Sequence, residues 1–275
     1  MFFRVLSATA AFSLALSGAD LNSALFERLE YRSIGPASMG GRITDVEGVA
    51  GRPELVYVAT ASGGLFKTTN GGTTWTPIFD HENTISIGNI AVDPHNPDVV
   101  WLGAGEANAR NSVSFGDGVY KTLDGGKTWR NLGLRDTHHI SRVALNPLNT
   151  NIAYVCALGH NTGPNEDRGV FMTTDGGETW KKTLYIDADH GCADMDIDQQ
   201  NPNVLYATMW KFLRRPWMFT SGSEKTGVFR SLDGGRTWAQ LTTGLPKGWG
   251  RIGVRVAASN SNVVYVIGES NEGTL

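Results

Sequence analysis

The chain has 275 residues, of which 34 are glycine and eight tryptophan, with charged residues at only 19%. Glycine at about 12% without a three-residue period excludes collagen, and 40% hydrophobic residues exclude a disordered chain. A net charge of −3 leaves no basic field to hold nucleic acid, so no nucleic-acid partner is expected.

The first predicted element is a leader. Met1-Phe-Phe-Arg4 gives a positive start, Val5 to Leu16 is apolar apart from Ser7, Thr9 and Ser13, and Ser17-Gly-Ala19 supplies small residues. That order reads as a signal peptide over residues 1–19, with export to the periplasm, cell surface or medium. The apolar run is too short to span a bilayer of about 30 Å, so no membrane span is expected. Residues 20–31 read as a lead-in and 32–275 as one repeat domain.

In that domain one twelve-residue pattern occurs four times. The copies are Gly64-Leu-Phe-Lys-Thr-Thr-Asn-Gly-Gly-Thr-Thr-Trp75, Gly118 to Trp129, Gly169 to Trp180 and Gly227 to Trp238, with closing tryptophans 54, 51 and 58 residues apart. Each reads as a hairpin: an alternating strand, a tight turn at Asn70, Asp124, Asp175 or Asp233, glycines at Gly72, Gly126, Gly177 and Gly235, and a return through Thr-Trp. Trp75, Trp129, Trp180 and Trp238 cover these turns as structural fasteners. An aromatic column (Tyr57, Trp101, Tyr154, Tyr206, Tyr265) and an apolar column eleven residues earlier (Val46, Ile90, Val143, Met195, Val254) fix the register. Each unit is therefore strand, turn, strand, loop, strand, Asp-Gly-Gly turn, strand, which predicts an all-β fold: a β-propeller of four-stranded antiparallel blades. Cys156 and Cys192 make no disulfide framework. One bond is possible, but buried free thiols are the expected state.

The segments Thr68–Trp75, Thr122–Trp129, Thr173–Trp180 and Ser231–Trp238 resemble the Asp-box, or bacterial neuraminidase repeat, with Asn70 in place of aspartate in the first. Residues 32–275 resemble bacterial secreted proteins related to the sortilin ligand-binding propeller. The phrases Gly40-Gly-Arg-Ile-Thr, Arg110 to Lys121 and Gly163 to Phe171 carry that closer likeness. The resemblance implies six to ten blades, whereas the sequence supplies four complete blades and two strands of a fifth. The expected ring is incomplete, its remainder coming from C-terminal sequence beyond Leu275. Sialidases, xyloglucan-degrading endoglucanases, sortilin and a photosystem assembly factor resemble one another in the Asp-box, so the repeat indicates fold rather than function.

Propeller topology places the Asp-Gly-Gly and proline turns on one face and the long loops, 103–116, 158–168 and 209–226, on the other, where binding is expected. That face holds His81, His138, His139, His160 and His190, the tryptophans Trp210, Trp217 and Trp249, and the charged residues Glu106, Arg110, Arg215 and Arg251. The inner strands add two polar columns, Asp45, Asn89, Arg142, Asp194, Gly253 and Glu47, Ala91, Ala144, Asp196, Arg255. Arg142 is expected to pair with Asp194, and Asp196 with Arg255. Asp194, Glu106 and Asp189 are the candidate acid and base of a glycosidase, although ion pairs lining a wet channel are the more ordinary use of such residues. The histidines match no zinc spacing, so neither metal nor other cofactor is expected. The tryptophans either stack on a sugar or peptide ring or pack their own loops. Arg214-Arg215-Pro-Trp217 either grips an acidic ligand or forms a solvated crest.

Two functions follow. The first is an exported propeller binding a peptide, protein or carbohydrate on the long-loop face, as the sortilin resemblance implies. The second is a glycoside hydrolase of sialidase or xyloglucanase type. Arg42 lacks the proline of a sialidase start, and Ala61-Ser-Gly-Gly64 lacks the aspartate of the xyloglucanase pattern, so the motifs favour binding.

Overall fold

In a computed structural model, residues 41–270 and the strand Gly273–Thr274 are described; the leader, the lead-in and the first residues of the repeat domain lie outside them. The described chain is built from successive antiparallel sheets in the predicted order. The first blade comprises Ile43–Val49, Arg52–Thr60, Leu65–Thr68 and Thr76–Pro77. The second comprises Ile87–Val92, Val100–Ala104, Val119–Thr122 and Arg130–Asn131. Ile140–Leu145, Ala153–Ala157, Gly169–Thr173 and Lys181–Leu184 make the third. His190–Ile197, Leu205–Arg215, Gly227–Ser231 and Ala239–Leu241 make the fourth. The fifth has Ile252–Val256, Val264–Ser270 and Gly273–Thr274, one strand more than the two expected. The ring is not closed.

Burial follows from this stacking. Val100–Ala104 and Ala153–Ala157 are buried at every position, because a neighbouring blade covers each side of the sheet. In the first blade only alternate residues, Leu55, Tyr57 and Ala59, are buried along the equivalent strand. Tyr57 donates from its hydroxyl to the carbonyl of Pro97 in the next blade at 3.0 Å, and Tyr154 does the same to Gly234 at 2.9 Å. Tyr265, in the last described blade, has no such neighbour and is 65% exposed.

The Asp-box turns close as their composition demands. Thr122 Oγ1 donates to Asp124 Oδ1 at 2.7 Å and accepts the Gly126 amide at 3.0 Å. Asp124 in turn accepts the Thr128 amide at 2.9 Å and its hydroxyl at 2.7 Å. Donors from Thr128, and equally from Thr179 and Thr237 in the later copies, hold Asp124, Asp175 and Asp233 below the usual carboxylate range. Asn70 keeps the geometry with an amide: its Oδ1 accepts the Thr74 amide while its Nδ2 donates to the Thr74 hydroxyl, both at 2.9 Å. The tryptophans also fasten blade to blade. Trp129 Nε1 donates to Ile78 O at 2.7 Å and Trp180 Nε1 to Leu132 O at 2.9 Å, each in the preceding blade. That approach requires glycine. Gly126 has φ +93°, and a Cβ there would stand 2.5 Å from Ile78; at Gly235 it would stand 2.7 Å from Tyr154.

The inner-strand column stitches the blades at the channel. Asp45 Oδ2 accepts Asn89 Nδ2 at 2.5 Å and the Ile90 amide at 3.0 Å. Asn89 Oδ1 accepts the Val143 amide at 2.7 Å, and Asp194 Oδ2 accepts that of Val254 at 3.1 Å. Each side chain thus satisfies a backbone donor one blade ahead, which buried amides require. Cys156 and Cys192 are joined as a disulfide, which corrects the expected free thiols. The inner strand of the fourth blade lies against the third blade and brings their Cα atoms to 5.0 Å, inside bonding range.

Candidate functional site

The long loops converge on the expected face, though one of them is not a loop. Residues 209–226 continue the strand Leu205–Arg215 and return through Met218–Ser221, with Arg215 paired to Met218, so that Trp217 sits at a hairpin tip and is 77% exposed. The other two tryptophans are scaffold, contrary to their assignment to a ligand surface. Trp210 is buried, stacks on Phe212 at 4.8 Å and donates to Ser221 Oγ at 3.0 Å; Trp249 is also buried. Trp210 serves the hairpin's own packing and Trp249 packs with Val228 and Ile252, so only the tip residue Trp217 keeps an exposed ring.

The candidate carboxylates are all engaged. Glu106 is fully buried, and Arg42 donates to it through Nε at 2.8 Å and Nη2 at 2.5 Å. Asp194 is held by Arg142 at 3.1 Å and Arg255 at 2.7 Å, and burial still pushes its carboxyl above the usual range. Arg255 was expected on Asp196. It reaches Asp194 Oδ2 instead, beside the Val254 amide, while Asp196 Oδ2 accepts the Val256 amide at 2.8 Å. Asp189 pairs with Lys211 at 3.2 Å. Asp194 therefore braces the channel, while Glu106 and Asp189 are held in ion pairs away from its lining.

The histidines separate. His138 and His160 stack at 3.7 Å between ring centroids, and Phe115 covers the other side of His138 at 5.1 Å. His138 has φ +55°, a strained conformation for a residue with a Cβ, held where its carbonyl accepts the Gly116 amide at 2.8 Å. His139 is buried behind them, donates to Glu106 O at 2.8 Å, and is pushed down to about 4 by burial. His190 bridges Asp187 and Ser223, both at 2.6 Å, and so ties the loop before the fourth blade to the hairpin's return. His81 lies elsewhere, in a cleft beside Gly125, Gly126 and Trp129 of the second Asp-box. Among the described residues no group of three or more His, Cys, Asp or Glu is placed to hold a metal ion.

Two cavities open on this face. One, of about 360 Å³, lies at the channel and is lined by Asn89, Asn108, Arg142, Asp194, Arg251 and Glu269 among others. Arg251 donates to Asn108 at 3.2 Å and lies 5.8 Å from the Trp210 ring; burial holds its guanidinium below the usual value. The second, of about 530 Å³, lies between the second-, third- and fourth-blade loops and takes in Arg110, Phe115, His138, His160, Asn161, Arg214 and Arg215. Phe115 and Asn161 were not singled out in the sequence, where an aromatic and an asparagine in polar loops look ordinary.

Glu47, placed in a channel column but not among the site candidates, lines a third cavity, toward the proline turns, with Asp196 and Arg142. Burial, and then Asp45, push its carboxyl up to about 7. A folded value above the unfolded one means the native state holds the extra proton, so stability is lost as pH rises from about 4.5 through 7. The upper limit is about 3 kcal/mol, and solvent on its open side leaves roughly 1–2 kcal/mol. Glu47→Gln is expected to melt higher than the native chain at pH 8 and equally at pH 4. Equal melting temperatures at pH 8 would show that Glu47 ionises freely.

Comparison with known proteins follows the same pattern of blades. The family model described as "Sortilin, neurotensin receptor 3" matches residues 117–274, more than half of the chain. The chain belongs to this sortilin family. Among curated relatives, a xyloglucanase of Acetivibrio thermocellus is 24% identical over 271 residues, covering 90% of this chain, and one of Paenibacillus is 23% identical, covering 88%. This family member spans 31% and 25% of those relatives' lengths. Among solved structures, an ancestral GH74 enzyme superposes with a TM-score of 0.62 at 22% identity, covering 84% of this chain and 29% of that one. The GH74 xyloglucanase of Xanthomonas campestris gives 0.56 at 21% identity, covering 77% and 32%. These superpositions establish the blade architecture.

Proposed function

We propose that this chain is the saccharide-binding part of an exported, propeller-type glycoside hydrolase, with the long-loop face as its binding surface. The observation that carries this reading is the alignment of xyloglucanases over 90% of the chain. It favours the hydrolase over the peptide-binding propeller that the motifs alone suggested. The geometry sets the division of labour. A glycosidase needs two carboxylates roughly 5–10 Å apart that are free to exchange protons. Glu106, Asp194 and Asp189 are committed to Arg42, to Arg142 and Arg255, and to Lys211. Cleavage therefore calls on carboxylates other than these three, and the described blades supply binding. Trp217, the exposed ring at the hairpin tip, is the natural stacking platform for a sugar face.

Calorimetric titration of the full chain with xylogluco-oligosaccharides is expected to show binding. Trp217→Ala should weaken it about 10-fold, corresponding to roughly 1.4 kcal/mol of lost stacking. Absence of binding to any oligosaccharide would remove the proposal. Reducing-sugar release that disappears in Asp194→Asn with an unchanged melting temperature would make Asp194 a catalytic group rather than a brace.

A further inference from the structure

The 530 Å³ cavity between the second-, third- and fourth-blade loops differs in chemistry from the channel beside it. Its lining holds three guanidinium groups, Arg110, Arg214 and Arg215, and no carboxylate. Arg110 and Arg215 are exposed and their guanidinium groups make no hydrogen bond or ion pair with the described residues, whereas Arg214 donates to Asn111 and lies 5.0 Å from the Phe219 ring. Asp136 and Asp167 act on His138, but neither is among the residues that line the cavity. Three cations gathered without a counterion repel one another, so this arrangement favours an anion.

A second observation points the same way. Asn161 lines the cavity at 7% exposure, and neither its Nδ2 nor its Oδ1 has a hydrogen-bond partner. A buried amide left unmatched destabilises the fold and is a feature that a ligand would resolve. Both atoms are closed to solvent, so a ligand reaches them when the side chain turns out of the cavity wall, where the donor and acceptor suit neighbouring hydroxyls, as on a sugar ring. The outer faces of the Phe115–His138–His160 stack give an apolar wall on one side. The volume lies within the usual range for small-molecule sites.

We infer that this cavity is a subsite for the carboxylate-bearing residue of an acidic saccharide, a uronate, held by arginine forks at its carboxylate and by Asn161 at its hydroxyls. The inference rests on the saccharide-binding reading above and adds to it the class of sugar. A planar guanidinium matches a carboxylate through two parallel charge-assisted hydrogen bonds, whereas the hydroxyls of a neutral hexose accept only the weaker uncharged kind.

The test uses the full chain, tetragalacturonate and the methyl ester of the same oligosaccharide, titrated calorimetrically at physiological salt. The acid form is expected to bind at least about 10-fold tighter than its ester, with Arg215→Gln removing about that factor. Asn161→Leu should melt at the same or a higher temperature, since it removes an unmatched amide, yet bind the acid about 10-fold more weakly. That pairing separates a ligand-binding role from a structural one. Equal affinity for acid and ester, or unchanged binding in both variants, would overturn the inference. So would binding of a tetrapeptide through its free C-terminal carboxylate with the uronate silent. If xylogluco-oligosaccharides bind and the uronate does not, the subsite assignment falls while the hydrolase-type reading stands. If no saccharide binds, both fall.

Discussion

Replacing both Cys156 and Cys192 by alanine is expected to lower the melting temperature by roughly 10 °C without changing the blade architecture. The bond links positions separated by 36 in sequence. Closing a loop of that size removes chain entropy worth about 3–4 kcal/mol from the unfolded state. For a domain of this length each kcal/mol moves the midpoint by about 2–4 °C. Both residues are fully buried, and Ser141 Oγ donates toward Cys156 O at 3.0 Å and Cys192 O at 2.9 Å, so the bond sits at a seam where inner strands of two blades meet. Alanine is the better replacement, because serine would bury two further hydroxyls. Reduction of the native chain should reproduce the loss and reoxidation restore it. A double variant melting within 2 °C or so of the native chain would mean that packing alone holds the seam. Such a bond persists in an oxidising compartment, the destination proposed from the leader.

The fold was legible because its determinants are local and repeated. Thr122, Asp124, Gly126 and Trp129 specify one turn, the same four roles recur at Thr173 to Trp180 and Ser231 to Trp238, and the spacing of those turns gives the blades. The site was less legible because its determinants are contacts between blades. Nothing local distinguishes Trp217 at a hairpin tip from Trp210 inside the hairpin; their environments differ because the strand Leu205–Arg215 runs on past the blade. Glu106 and Asp189 were indistinguishable from free carboxylates until Arg42 and Lys211 were placed beside them. The pairing of Cys156 with Cys192 and the burial of Asn161 likewise depend on how neighbouring blades and loops meet. Arg168 is the plainest case. It reads as one more charge in a polar loop, yet it is wholly buried.

Arg168→Met is expected to destabilise the chain by about 3 kcal/mol and to loosen the loop that forms one wall of the arginine-lined cavity. The guanidinium donates through Nε to Asn165 Oδ1 at 2.9 Å, through Nη1 to Asp189 O at 2.7 Å, and through Nη2 to His160 O at 2.5 Å and Gly163 O at 3.0 Å. It also lies 5.1 Å from the Phe212 ring, so one side chain gathers the third-blade loop, the approach to the fourth blade and the hairpin base. Burial lowers its pKa to about 10, with Asp189 and Asp187 favouring the charge, so it remains a cation throughout the neutral range. Methionine fills much of the volume but leaves three carbonyls and an amide oxygen without their donor, a cost of about 1–3 kcal/mol for each group that water cannot reach. Arg168→Lys keeps the charge but not the fork; a single ammonium cannot face all four acceptors, and an intermediate loss is expected. Because His160 is held through its carbonyl, its ring should lose register with His138 as the loop loosens, weakening any ligand of that cavity along with the fold. Melting curves for both variants, with amide hydrogen exchange over residues 158–168, measure the two effects separately. A methionine variant with native melting and native protection of that loop would show that the loop is held by its backbone turns and that the buried charge is dispensable.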